Sequence, residues 1–266
     1  MRSIHIKTLK TVLNFIAIFF LFFVRNSSLV GQTVLDMELG FVTTGYNDVR
    51  IPSNGGTLFS LKDDFNAGSS FFYRLRLNQI IKSRHTLSLL FAPLEIKSMG
   101  SPSEAILFNG VNFDAKTAIW SRYKFNSYRL TYRYDFIFKP QFQFGLGLTA
   151  KIRDASIRLL SENSRSEKTS LGFVPIINFN LRGMIDERFG FLLQGDALVA
   201  PRGRAEDVHA AVTYQIDESI RIRAGYRILE GGAKNDRVYG FSLFHYAALG
   251  LSYTFKKKLK VSDTLE

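Results

Sequence analysis

The sequence predicts an all-β chain closed into a transmembrane, up-and-down antiparallel barrel of about ten strands. Three observations predict it. Apolar and polar residues alternate with a period of two through most of the chain, and short connections alternate with long ones. The last regular stretch, Phe241 to Phe255 (FSLFHYAALGLSYTF), ends on an aromatic residue. Strands with one face in lipid and the other toward a polar interior show these features. Eight and twelve strands are the alternatives, because alternation weakens near Pro93 and Arg153. The irregularities at Ala92 and Arg153 read as β-bulges near the outer rim.

The chain divides into three parts. Residues 1–32 read as an export signal: Arg2, Lys7 and Lys10 precede Thr11 to Val24, an apolar run of 14 residues. That run is shorter than the roughly 20 residues of a spanning helix and fits a secretory h-region. Residues 33–255 form the barrel, and 256–266 a basic periplasmic tail containing KKKLK. The chain has no cysteine, which excludes lipoprotein acylation, disulfides and thiol chemistry. The formal charge of +12 falls to +8 once Arg2, Lys7, Lys10 and Arg25 leave with the signal. The arginines sit in the polar phase of alternating strands, which argues against a nucleic-acid surface. No metal-ligand or cofactor motif is present, so neither is expected.

Strands are delimited by alternation and turn residues. The first spans about Val34 to Tyr46, followed by a polar loop, Asn47 to Ser69. The second is Ser70 to Ile81, turning at Lys82 to Arg84. The third is His85 to Ser98, with a long loop from Met99 to Ile119. The fourth, Trp120 to Phe138, turns at Lys139 to Gln141 into the fifth, Phe142 to Leu160. After a loop from Ser161 to Ser170 comes the sixth, Leu171 to Ile185. The seventh is Phe189 to Ala200, turning at Pro201 to Arg204 into the eighth, Ala205 to Ile216. The ninth is Ile220 to Leu229, and the tenth ends at Phe255. Short turns then share the periplasmic side, and long loops the extracellular side.

Two phases assign the faces. Strand four gives Tyr128, Leu130, Tyr132, Tyr134, Phe136 and Phe138 on one side, with Ser127, Arg129, Thr131, Arg133 and Asp135 on the other. In lipid the apolar phase faces outward. The lumen therefore receives Asp36, Glu38, Arg74, Arg76, Arg129, Arg133, Asp135, Lys151, Arg153, Arg182, Arg221, Arg223 and Arg227, together with Asp196 and Glu95. Charges confined there must be paired or hydrated, so a ladder of arginine–carboxylate pairs is expected. Gly145 and Gly147 would leave room for the long side chains. A cationic excess also suits a narrow, anion-preferring, porin-like channel.

The candidate catalytic pair is Asp196 and His209. If the hairpin turns on Pro201 to Arg204, these two face each other across the lumen wall, where a carboxylate would orient the imidazole. Asp207 lies on the same face. His5 falls in the signal, His85 at a turn, and His245 on the outward phase, where it marks a bulge or a contact face. The candidate binding residues are Tyr46, Asn47, Asp48 and Arg50 at the first loop and Asn109 and Asn112 in the second, since loops carry binding function more often than walls do.

By its exported N-terminus, its alternating strands and its terminal LSYTF, the chain resembles the small outer-membrane β-barrel proteins of Gram-negative bacteria. GYNDVRIP, FYRLRL and FNSYRLTYRY resemble a subgroup of such barrels for which no activity is implied. The resemblance implies residence in the bacterial outer membrane, with its lipids, lipopolysaccharide and the barrel-assembly machinery as partners. The His–Asp pair is similar to those of barrel-embedded omptin-like proteases, lipid A deacylases and palmitoyltransferases. The expected function is non-enzymatic, structural or ligand-binding through the long loops. A lipid-modifying hydrolase, acyltransferase or protease using Asp196 and His209 is the first alternative, and the anion channel the second.

Overall fold

The computed structural model describes residues 31–201 and 203–255. Their strands are β1 (Gly31–Arg50), β2 (Phe59–Ser60), β3 (Ser70–Ile81), β4 (His85–Ala92), β5 (Glu95–Gly100), β6 (Ile106–Phe108) and β7 (Val111–Phe113). Then come β8 (Ile119–Phe138), β9 (Phe142–Leu160), β10 (Arg165–Met184), β11 (Phe189–Ala200), β12 (Gly203–Gln215), β13 (Ile220–Lys234) and β14 (Tyr239–Phe255). Antiparallel neighbours follow chain order, and β14 pairs back onto β1 from Thr33↔Phe255 to Arg50↔Tyr239. Closure removes the free edges that an open sheet would present. With β4 and β5 counted as one interrupted strand, the wall has ten strands; β2, β6 and β7 belong to the loops. The first strand starts at Gly31, ahead of the expected boundary at residue 33. The remainder of the expected export signal, 1–30, and the expected basic tail, 256–266, lie outside the described residues.

The bulges expected at Ala92 and Arg153 are absent. Ala92↔Ser127 and Glu95↔Lys124 keep one register across the β4–β5 break, which falls at Pro93, a residue with no N–H to donate. Ser127↔Arg153 likewise sits in an unbroken ladder. The register shifts occur instead between Thr44 and Tyr46 and between Asp135 and Ile137. His245 pairs with Thr43 beside the first shift. A side chain at Gly45 would meet the His245 imidazole at 2.6 Å, so the glycine makes room for that ring.

The irregular alternation has a different cause. Toward the short turns, apolar residues face out and polar ones face in. Toward the loops this inverts: Leu94, Ile96, Ile119 and Leu159 are buried in the interior. The outer face there carries Arg122 paired with Glu95, Lys124 with Asp154 (2.8 Å) and Arg158 with Glu167 (2.9 Å). Glu95 therefore faces outward, not into the lumen. The wall behaves as a lipid barrel at its turn end and as a water-soluble barrel with an apolar core at its loop end.

The lipid zone is explicit in the exposed surface. Leu148 is 70% exposed and Phe173 68%, within a continuous band that includes Leu39, Phe41, Phe71, Leu130 and Leu249. An apolar patch of that extent on a folded chain needs a partner, and a band encircling a closed barrel fits lipid. Aromatic rings border the band. Tyr73, Phe91 and Tyr128 touch at 6.2 and 5.4 Å, and at the turn end Tyr134 meets Phe136 at 5.1 Å and Tyr253 meets Phe255 at 4.9 Å.

The turn-end connections are tight. Asp186 accepts N–H bonds from Phe189 and Arg188, both at 2.7 Å, and Asp217 does the same for Ser219 and Ile220 at 2.7 and 3.0 Å. Those two bonds hold the Asp186 carboxyl below its ordinary range. At the loop end only two connections are long, 51–69 and 101–118. The expected loop 161–170 shrinks to four residues because β9 and β10 extend to Leu160 and from Arg165.

The two long loops pack inward. Phe59, Leu61, Phe65, Phe108 and Phe113 join Val42, Val49, Leu159, Phe244 and Tyr246 in one buried cluster. Backbone bonds tie the loops together: Thr57 donates to Leu107 (3.0 Å) and Asn109 to Ile51 (2.7 Å). Gly100 permits the first loop to lie on β5, since a Cβ there would meet the Asp64 carbonyl at 1.9 Å.

Lipid and water zones respond differently to the same change. Leu148→Arg, in the exposed band, should cost about 2–4 kcal/mol, whereas Leu160→Arg, beyond the charged ring, should cost about 0–1 kcal/mol. Urea midpoints of the refolded barrel, read by heat-modifiable gel mobility, measure both.

Candidate functional site

Alternation delivers a set of charged side chains to the middle of the lumen, where they bind one another. Arg129 of β8 reaches across to β11 and β12, donating to Asp196 (2.5 Å) and Asp207 (2.6 Å). Asp207 also accepts from Arg74 of β3 (2.8 Å) and Arg227 of β13 (2.5 Å). Arg227 makes a fork to Glu38 of β1, with both bonds at 2.8 Å. Arg223 completes the chain, bonding Glu38 (3.1 Å) and Asp36 (2.5 Å). Four arginines thus meet four carboxylates, and the eight side chains come from six strands on all sides of the wall. Thr149 (2.7 Å) and Asn178 (2.9 Å) donate to the second oxygen of Asp196, and Ser252 (2.6 Å) to Asp36.

Small residues make this possible. A Cβ at Gly250 would lie 2.4 Å from the Arg223 guanidinium carbon, and one at Gly145 would lie 2.1 Å from the Asp135 carboxylate. Gly145 thereby leaves room for the bond from Arg133 to Asp135 (3.0 Å).

The layer separates two cavities of about 550 Å³ each. The turn-end cavity is lined by Asp36, Arg76, Arg133, Asp135, Arg182 and Arg221, with Arg76 bonded to Gln194 (3.1 Å) and Arg221 to Gln215 (2.6 Å). The loop-end cavity has mostly apolar walls, including Phe125, Val174, Leu198, Leu229 and Phe244, and contains Lys151 and Arg153. Between the cavities Arg74, Arg129, Glu38, Asp207 and Tyr246 are all buried.

Asp196 and His209 do not pair. The β11–β12 hairpin closes at Ala200↔Gly203, a two-residue turn, so Gln194 faces His209 and Asp196 faces Asp207. The expected four-residue turn shifted the register by two positions, which preserves the face and changes the neighbour. His209 is 0% exposed, and neither ring nitrogen has a hydrogen-bond partner. Its nearest carboxylate is Glu38, at 3.6 Å. Asp207, the acceptor for three arginines, was legible only as an inward position of β12.

The loop candidates are also redistributed. Tyr46, Asn47, Asp48 and Arg50 belong to β1, which runs on to Arg50, and not to a loop. Tyr46 is hydrogen-bonded to Glu230 and, at 3.1 Å, to Arg204. Asn47 is buried, and its carbonyl accepts from Leu61 (2.8 Å). Asn109 anchors the second loop to β10 through Ser166 (3.4 Å), and the Asn112 carbonyl accepts from Ser164 (3.0 Å). These groups hold the loops down and do not form one binding surface.

A closed ten-strand wall, tight turns at one end and an arginine-filled interior are now in place. The fold is that of the bacterial outer-membrane β-barrels. The outer-membrane protease OmpT of Escherichia coli superimposes with a TM-score of 0.55 at 10% identity, over 84% of this chain and 97% of that one. Ail, the attachment invasion locus protein of Yersinia pestis, matches at a TM-score of 0.37 and 12% identity, over 84% of this chain and 99% of its own. Neisserial surface protein A matches at 0.34 and 12%, over 84% and 97%. No protein-family model and no curated protein sequence matches the chain. At these identities the likeness is one of fold, and fold does not carry function across.

Removing one partner of a buried ion pair strands the other. Asp207→Asn, which leaves three arginines short of an acceptor, should lower stability by about 3–5 kcal/mol. The shift of the urea midpoint, at unchanged slope, is the measurement.

Proposed function

We propose that this protein is an outer-membrane barrel with a sealed lumen that binds a ligand at its loop-end cavity and is neither an enzyme nor an open channel. The observation that carries the reading is the charge-balanced layer of four arginines and four carboxylates between the two cavities, buried except at Asp36, which borders the turn-end cavity. A pore needs a continuous hydrated path, and this layer sets paired side chains across it. The loops add a second barrier, because their aromatic side chains fill part of the loop-end mouth.

The same geometry argues against catalysis at Asp196 and His209. A general base must come within hydrogen-bond reach of its substrate. His209 lies inside the layer, lines neither large cavity, and is separated from Asp196 by the register. The fold, with its exposed apolar band, supports placement in the outer membrane, with lipids and lipopolysaccharide around the wall.

Two measurements test this. Purified protein in planar bilayers should show no steady conductance; a stable open state would overturn the sealed-lumen reading. Mass spectra of lipid A and phospholipids from cells with and without the protein should coincide. A gained or lost acyl chain would establish an enzyme instead.

A further inference from the structure

The charge count of the lumen leaves a remainder. The carboxylates of the central layer are saturated by their arginines, and Asp196 has further bonds from Thr149 and Asn178. Lys151 stands next to this layer on β9, only 3% exposed, and makes no ion pair and no hydrogen bond among the described residues. Its ammonium sits 5.1 Å from the centre of the Phe125 ring. Two residues along on the same face, Arg153 donates to Ser170 (3.1 Å), while its buried Nε has no partner. A buried ammonium and a half-buried guanidinium with an unpartnered Nε thus stand side by side without a carboxylate bonded to either, an arrangement that favours an anion joining them.

Both cations open onto the loop-end cavity. Its lining holds five cations (Lys151, Arg153, Lys168, Arg204 and Arg237) against one carboxylate, Glu230, which is already bonded to Tyr46 and Arg204. The remaining walls are mainly apolar, with Val174, Leu198, Leu229 and Phe244 facing the space. At about 550 Å³ the cavity lies within the roughly 300–1,000 Å³ range of small-molecule sites. A small inorganic anion would satisfy the cations and leave the apolar walls wet. A neutral hydrocarbon would cover the walls and leave the cations unpaired.

We infer that the loop-end cavity is a binding site for a single-chain amphipathic carboxylate of the fatty-acid class. Its head group bridges Lys151 and Arg153, and its chain lies along Val174, Leu198, Leu229 and Phe244. Lys151 fixes the head, because it is the most deeply buried of the cations lining the cavity and its ammonium rests against a ring face. Arg153, already oriented by Ser170, supplies the second contact. This deepens the proposed function by naming the ligand class, and it rests on the lumen being closed beneath the cavity.

The test uses the refolded full chain in lipid nanodiscs, free of detergent, with calorimetric titration of dodecanoate, dodecyltrimethylammonium and inorganic phosphate. Dodecanoate should bind one per barrel, at least tenfold more tightly than either other probe. Lys151→Met should weaken dodecanoate at least tenfold, and Lys151→Arg should retain most of the affinity. Heat-modifiable gel mobility confirms that each variant is folded. Equal binding of the cationic analogue, preference for phosphate, undiminished binding by a folded Lys151→Met protein, or no saturable binding at all would each overturn the inference. Conductance of the same preparation separates the two levels: a non-conducting barrel that ignores dodecanoate removes the ligand class alone, whereas an open channel removes the sealed-lumen reading.

Discussion

The structure depends on the exchange of hydrogen bonds between arginines and carboxylates in the middle of the lumen. Ten strands enclose a space slightly too wide to be filled by side chains from one wall alone, as an eight-strand barrel nearly is. Arginine is suited to that gap, being long, permanently charged and able to bond in a planar fork. Arg129 spans from β8 to β11 and β12, and Arg74 from β3 to β12. These contacts tie together strands that are far apart around the wall, which ladder bonds between neighbours do not do. A buried ion pair does not by itself stabilise more than an apolar substitute of the same shape. Its distinctive contribution here is geometric: each guanidinium has one set of acceptors, so the network permits one arrangement of the wall.

Around that layer the chain meets two solvents. Toward the turns the surrounding medium is lipid, and the apolar phase faces out. Toward the loops it is water, and the apolar phase faces in. From Gly145 to Leu160, β9 passes through both regimes without a change of register: Leu146 and Leu148 point outward below, while Leu159 is buried inside above. The inward apolar residues of the loop end are then what the long loops pack against. Phe59, Phe65 and Phe108 find a hydrophobic surface inside the mouth only because the polarity has inverted there.

The sequence revealed the wall more readily than the interior. Alternation indicates which side a residue faces: of the charged residues assigned inward by phase, Arg74, Arg129, Arg223 and Arg227 lie on the inner face, whereas Glu95, beyond the change of polarity, lies on the outer one. Alternation does not fix register, because a slip of two residues conserves the face. Asp196 and His209 show this: both point inward as expected, yet a hairpin that closes at Ala200↔Gly203 gives Asp196 a carboxylate for its neighbour. The apparent irregularity near Arg153 shows a second limit. A strand leaving lipid for water exchanges the polarity of its two faces, and in a linear sequence that exchange looks like a bulge. Asn47 to Arg50 read as loop in the sequence because their polarity suits a strand whose outer face is wet.

Electroneutrality links these features to the loop-end cavity. Had the central layer carried fewer arginines, Lys151 would have had Asp196 or Asp207 to bind. Had it carried more, the surplus would have faced the turn-end cavity, where water and polar side chains solvate it. The layer instead balances at four against four; of the inward cations outside it, Arg76, Arg182 and Arg221 line the polar turn-end cavity, while Lys151 and Arg153 fall on the side where the inverted wall supplies apolar surface. Lys151 and Phe125 are both inward residues, one adjoining the polar layer and the other the first ring of the apolar zone on its strand. Their contact marks the boundary between the two regimes. A boundary of that kind, cationic below and apolar above, is complementary to a molecule built the same way, with an anionic head and a hydrocarbon chain. The site therefore follows from where the membrane surface cuts the barrel and needs no dedicated motif.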